Sequence, residues 1–215
     1  MAEYAQLRDA IVSGDATEAV RQVEVALKRG AAPLDLVREG LQSSMIVVGE
    51  KFSTGEFFVP EMLFAAEAVK EALEVLRPSL ASIEEYRLGK IVVGTVAGDI
   101  HDIGKNLVSM LLEGAGFEVI DLGTDVSSER FVEAVRSQQP AILAMSALLT
   151  TTMPGIRSTI EGLESVGIRE QVKVVVGGAP VTEHFAEQVG ADGYAPDAGA
   201  AVLLCRTLLE LAEED

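Results

Sequence analysis

The chain has 215 residues, 48% of them hydrophobic, enough for one large domain or two small ones around a sizeable core. Thirty-four acidic residues against seventeen basic ones give a formal charge of -17, which repels a phosphate backbone and an anionic bilayer, so neither nucleic acid nor membrane is an expected partner. No basic stretch leads into an apolar run at the start, no window offers about twenty uninterrupted apolar residues, and the lone Cys205 leaves no disulfide, CxxC or thiolate cluster. These features predict a cytoplasmic protein with Cys205 in its core.

From Tyr4 to about Arg77 the apolar residues recur three and four positions apart, as in Val20, Val23, Leu27 and in Leu34, Val37, Leu41, Met45, Val48, Phe52. Breaks fall at Ser13-Gly14-Asp15, where Asp15 can cap the next helix, at Gly30 followed by Pro33, and at Ser53-Thr54-Gly55 before Pro60. Four helices result, whose narrow apolar faces close together as an antiparallel bundle of roughly eighty residues. Pro78 is expected to end the last helix. Ser79 to Gly89 then reads as a linker and hinge between two cores.

From Lys90 the pattern changes to short apolar runs, each followed by a loop and a helical stretch: IVVGTV, FEVIDLG, AILAMSAL, VKVVVGG and a weak GYAP. Ile91-Val92-Val93 and Ile142-Leu143-Ala144-Met145 are apolar on both faces, as parallel strands covered by helices require. The predicted fold class is therefore α/β, with a helical bundle over 1–88 and a flavodoxin-like, five-stranded parallel sheet domain over 89–215. Ligands of such sheets bind outside the carboxyl ends of the strands.

The first of those ends carries Gly98-Asp99-Ile100-His101-Asp102-Ile103-Gly104, with one of only two histidines in the chain. Two residues apart in an extended turn, Asp99 can accept a hydrogen bond from one imidazole nitrogen of His101 and leave the other free for a metal. The same residues also read as a capping loop, with Asp99 or Asp102 capping a helix from Ile103 and His101 merely exposed. The third strand ends in a hydroxyl cluster, Ser146 followed by Thr150, Thr151 and Thr152, and the fourth in Gly177-Gly178, which suits close approach of a ligand or a tight turn.

Together, DxHxxG after the first strand, SxL after the third and GG after the fourth resemble the cobalamin-binding signature of methionine synthase and its relatives. The segments GDIHDIGKNLV, MSALLTTTM and GGAPVTEHFAEQVGADGYAPDA are similar to the small corrinoid proteins of methyltransferase systems in methanogens and acetogens. The resemblance spans essentially the whole chain. It implies a cobalamin or related corrinoid whose cobalt alternates between Co(I) and methyl-Co(III), with His101 as its axial ligand. Gly98, Asp99, Ile100, Asp102, Ile103 and Gly104 would meet the cofactor around that ligand. Ser146, Leu148, Thr150, Gly177 and Gly178 would line the displaced dimethylbenzimidazole arm, and Ala198 would approach it. Thr152, standing where methionine synthase has serine, would extend an Asp99–His101 relay that tunes the cobalt.

The stretch from Val48 to Met62 is similar to that family's cap motif, so Phe52, Val59 and Met62 would shield the methyl group from water, with Val59 in place of leucine; the same three residues also read as bundle core. Glu39 would reach the same upper face. Phe58 reads instead as bundle core, and His184 as a surface histidine. The implied partners are a substrate-specific methyltransferase, a second methyltransferase using coenzyme M or tetrahydrofolate, and a reductive activator. The cobalamin subunit of a radical mutase and a cobalamin-dependent sensor share the motifs and are the alternatives. A response-regulator receiver would need an aspartate where Ser146 stands, and an HD-type hydrolase more than two histidines.

Overall fold

The computed structural model describes residues 4–80 and 88–209, so most of the expected linker, 81–87, lies outside the described residues. Two compact units result, one of residues up to Leu88 together with Met110–Phe117, the other of Gly89–Ser109 with the described residues from Glu118 onward. The sequence boundary near residue 88 is therefore crossed by Met110–Phe117, which cluster with the helical unit.

In the helical unit α1 (Ala5–Val12) and α2 (Ala16–Lys28) are separated by the expected break, and Asp15 caps α2 by accepting the Glu18 N–H at 2.9 Å. Pro33 opens α3 (Pro33–Asp35), which continues without interruption through a π-helical segment, Leu36–Gln42, into α4 (Ser43–Ser53). The wider winding buries Leu36, Val37, Gly40, Leu41 and Gln42. Gly40 lets α1 pack closely there, since a Cβ would lie 2.6 Å from the end of the Leu7 side chain. Helix α5 (Val59–Leu80) packs along α2, and α1 lies against α2, α4 and α5.

Two expectations change here. Pro78 lies inside α5, which continues past it to Leu80, the last described residue before 81–87; a missing amide donor costs one hydrogen bond without ending the helix there. Phe58 is not core but 67% exposed. It stands just ahead of the first turn of α5, with its N–H donated to Glu61, and so falls outside the apolar stripe Met62, Ala65, Val69, Ala72, Leu76 that the helix buries.

The second unit holds β1 (Lys90–Thr95), β2 (Glu118–Asp121), β3 (Ile142–Ser146), β4 (Lys173–Gly177) and β5 (Gly193–Ala195), all parallel in the order β2-β1-β3-β4-β5. This is the flavodoxin-like order. Helices α6 (Ile103–Gly114), α7 (Ser128–Gln138), α8 (Pro154–Ser165), α9 (Glu183–Val189) and α10 (Ala198–Leu208) follow the successive strands. Val92, Leu143, Met145, Val174 and Val176 join Phe131, Ile156, Ile160 and Leu163 in one cluster against α7 and α8. The alternate residues Ile91, Val93, Ile142, Ala144 and Val175 are buried as well, so both faces of the sheet are covered. Cys205 is buried in α10, and burial pushes its thiol up to about 12.

The register aligns Thr95, Ser146, Gly177 and Ala195 across the carboxyl end of the sheet. Just beyond that row Gly178 has φ +119°, and a Cβ there would lie 2.0 Å from the Ala147 carbonyl oxygen. A methyl group at this position meets both a forbidden backbone conformation and rigid backbone. Gly178→Ala should therefore lower the stability of the cofactor-free protein by at least ~2 kcal/mol in urea denaturation, and an unchanged midpoint would contradict this packing.

Candidate functional site

The site grows from one buried carboxylate. Gly98, at φ +78°, turns the chain after β1 and drops Asp99 beneath the loop, where it is fully buried. Asp99 Oδ1 accepts the His101 Nδ1–H at 2.7 Å and the His101 backbone N–H at 3.1 Å. Its Oδ2 accepts the Leu148 N–H at 2.7 Å, the Leu149 N–H at 3.3 Å and the Thr152 hydroxyl at 2.7 Å. Burial pushes this carboxyl up, but the Thr152 hydroxyl, the Leu148 amide and the ring and amide of His101 outweigh it and hold the group well below the usual carboxylate range.

An ionised carboxylate only accepts, so the hydrogen between the two residues belongs to Nδ1 of His101. The Nε2 lone pair is then available, on a side chain 47% exposed. A helix does start at Ile103, yet Asp99 does not serve it as a free-standing cap. Its acceptor capacity is consumed by His101 and by the loop after β3.

Other expected residues take varied places. Ile100 and Ile103 are 76% and 75% exposed, and Leu148 and Leu149 are also exposed. These apolar side chains stand exposed in the two loops that meet at Asp99, as expected of a surface meant to be covered. Asp102, Gly104 and Thr150 are exposed, and Asp102 accepts the Asn106 side-chain amide at 3.2 Å. Ser146 is half-buried, whereas Ala198 is buried at the start of α10. Gly177 and Gly178 press on neighbouring backbone, at Ala195 and Ala147 respectively. His184 is an exposed helix residue beside Gln188, as the sequence implies. In the helical unit Met62 is fully buried in that unit's core, Phe52 is half-buried and Val59 exposed. Glu39 is exposed within the π segment. The apolar surface there comes from Phe58, Val59, Leu63 and Phe64.

Thr95 belongs to the site although its strand context hides it. Its hydroxyl donates to the His101 carbonyl at 3.0 Å and lies 3.0 Å from the Ser146 hydroxyl. Thr95 has one proton to give, so Ser146 is the donor in that pair. Asp125 is the second residue unmarked by sequence. It accepts the Gly98 N–H at 2.7 Å and donates its own N–H to the Asp99 carbonyl at 2.9 Å.

Residues 89–203 match the family model described as a B12 binding domain, and residues 3–77 match a second model of the same description. The chain belongs to the B12-binding corrinoid proteins. It is 44% identical to trimethylamine corrinoid protein 1 of Methanosarcina acetivorans over 95% of this chain and 96% of that one. It is 43% identical to dimethylamine corrinoid protein 2 of the same organism, over 95% and 94%. Among solved structures, a cobalamin-binding protein from Desulfitobacterium hafniense DCB-2 superposes with a TM-score of 0.82 at 34% identity, covering 94% of this chain and 96% of that one. A methanol:cobalamin methyltransferase complex from Methanosarcina barkeri gives 0.82 at 30% identity, over 96% of this chain and 79% of that one.

The cofactor of this corrinoid protein is therefore cobalamin or a related corrinoid, and the residues present fit it. His101, its Nδ1 held by Asp99 and its ring 47% exposed, could hold the metal of such a group through Nε2. The exposed isoleucines and leucines beside it suit the face of a large apolar ring.

Asp99→Asn tests the tautomer assignment. With its oxygen turned to Leu148 and Thr152, the asparagine presents an NH2 to His101, so the ring proton must move to Nε2. Ring 15N spectra of the cofactor-free protein should show protonated Nδ1 in the wild type and protonated Nε2 in the variant; identical spectra would refute the pairing. The depressed Asp99 contributes stability that is present above the ordinary carboxylate pKa and lost as pH falls toward its lower folded value. The stability difference between wild type and Asp99→Asn should accordingly shrink below about pH 4, as read from urea titrations.

Proposed function

We propose that this corrinoid protein is a methyl carrier, charged by a substrate-specific methyltransferase and discharged by a second methyltransferase whose acceptor is coenzyme M or tetrahydrofolate. The observation that carries the reading is the Asp99–His101–Thr152 chain, with Nδ1 bound to a buried carboxylate and Nε2 left open. When bound, the corrinoid supplies a cobalt centre that takes up a methyl group and yields it again.

The protein's own part is to set the strength of the lower ligand. Asp99 accepts the Nδ1–H, which fixes the ring and raises the donor power of Nε2. Thr152 and the Leu148 amide hold Asp99 ionised and in place. Taking a proton at Nε2 removes the lone pair, so the same residues govern whether His101 is ligated or released. Ile100, Ile103, Leu148 and Leu149 would meet the ring, and Ser146 and Thr150 would line the displaced arm. By the resemblance, Phe52 and Val59 of the helical unit would help keep water from the methyl group, while Met62 is buried in that unit's own core.

The named relatives are trimethylamine and dimethylamine corrinoid proteins, which supports a methylated amine as the source of the methyl group. Similarity extends through the helical segment as well, which favours a carrier over a mutase subunit. Among the described residues no helix is long and apolar enough to cross a membrane. A reductive activator is a further partner in this reading.

The ligand assignment is tested by an anaerobic absorption spectrum of protein reconstituted with hydroxocobalamin. Wild type should show the base-off, His-on form and His101→Ala a base-off form lacking the nitrogen ligand. Identical spectra would overturn the assignment. The carrier role is tested by following labelled methyl from trimethylamine, with its cognate methyltransferase, onto the reduced holoprotein. Absence of label on the protein-bound corrinoid would sink it.

A further inference from the structure

The turn after β2 holds both ends of the histidine loop. On the downstream side, Lys105 of α6 has a side chain only 2% exposed and is paired with Asp121 at the end of β2, while Asp121 also accepts the Gly123 N–H at 2.8 Å. On the upstream side, Asp125 grips two consecutive residues, accepting from Gly98 at 2.7 Å and donating to the Asp99 carbonyl at 2.9 Å. Between them the turn zips onto β1, through Thr95 N–H to Gly123 O and Val126 N–H to Thr95 O, both at 3.0 Å.

Asp125 makes its contacts from a conformation that side chains rarely adopt, φ +53°. Among the described residues the other non-glycine at positive φ is Gln139, the C-terminal cap of α7, an ordinary place for it. Asp125 occupies no helix end. Its strained backbone aims one carboxylate and one amide at the two residues that precede Ile100 and His101.

We infer that Asp125 is a positioning residue for the cobalt ligand: by fixing the Gly98–Asp99 backbone from outside the loop, it sets where Asp99 meets His101 Nδ1 and hence where Nε2 points. The inference rests on the assignment of His101 as ligand. Without the Asp125 carboxylate, Asp99 remains bonded to Leu148 and Thr152, but the Gly98 N–H loses its acceptor in the β2 turn. The ring is then free to reorient relative to its partner.

Asp125→Gly is the informative variant, since glycine adopts the same backbone without strain and keeps the amide donor while deleting the carboxylate. Asp125→Asn retains both an acceptor oxygen and tolerance of the left-handed region. In the cofactor-free protein, Asp125→Gly should move the His101 ring 15N shifts away from their wild-type positions. In the hydroxocobalamin-loaded protein it should raise the ratio of His-off to His-on form about tenfold in the absorption spectrum at a fixed pH. Asp125→Asn should restore both readouts.

Wild-type values in Asp125→Gly for both measurements would overturn the proposal, as would a defect that Asp125→Asn fails to restore. If Asp125→Gly does not fold, hydrogen exchange of the Gly98 amide in the unaltered protein decides. Protection supports the clamp, and exchange at the rate of a free peptide overturns it. Failure of the ligand reading itself would appear separately, as identical spectra for wild type and His101→Ala, while the ring shifts of the cofactor-free protein still report on Asp125.

Discussion

Everything at the carboxyl end of the sheet depends on burying one carboxylate. Asp99 lies without solvent contact at the junction of the loops after β1 and β3, and the cost of removing a charge from water is offset only by filling its acceptor positions. Those partners are the ring and amide of His101, two consecutive amides at Leu148 and Leu149, and the Thr152 hydroxyl. The requirement of the charge thus dictates the conformation of two separate loops. The orientation of an exposed imidazole is the result. An apolar residue at this position would leave the loops without a common centre.

Much of this was legible in sequence because it followed from local spacing. The switch from helical to strand periodicity near Lys90, the five apolar runs and their polar carboxyl ends led to the sheet and its order. Asp99 and His101 stood two apart in the right loop, and the hydroxyl at Thr152 was marked by its place in a cluster. Thr95 and Asp125 were not legible. Thr95 is one of the last residues of an apolar strand, and only the register with Ser146 and the turn at His101 gives its hydroxyl a role. Asp125 matters through a backbone angle and two contacts across the sheet's end, neither of which a linear pattern encodes.

The helical unit shows a different limit. Helical spacing located its segments, but it cannot distinguish the side of a helix that faces its own bundle from a side that faces something else. Phe58 was expected inside and stands exposed, while Met62, taken as part of the shield by resemblance, has no exposed surface. The helix start at Val59 explains both: Phe58 precedes the first turn, and Met62 begins the stripe that α5 turns toward α2.

The chain's single sulfhydryl sits inside α10, and burial raises its pKa to about 12. A thiolate is both a good ligand for cobalt and a ready acceptor for an electrophilic methyl group. A protein that handles such a group cannot carry an accessible one without risking alkylation of itself or poisoning of its own metal. Keeping Cys205 in the protonated form and away from solvent makes the chain chemically silent toward the cargo it is proposed to carry, so that methyl groups end only where a partner enzyme directs them.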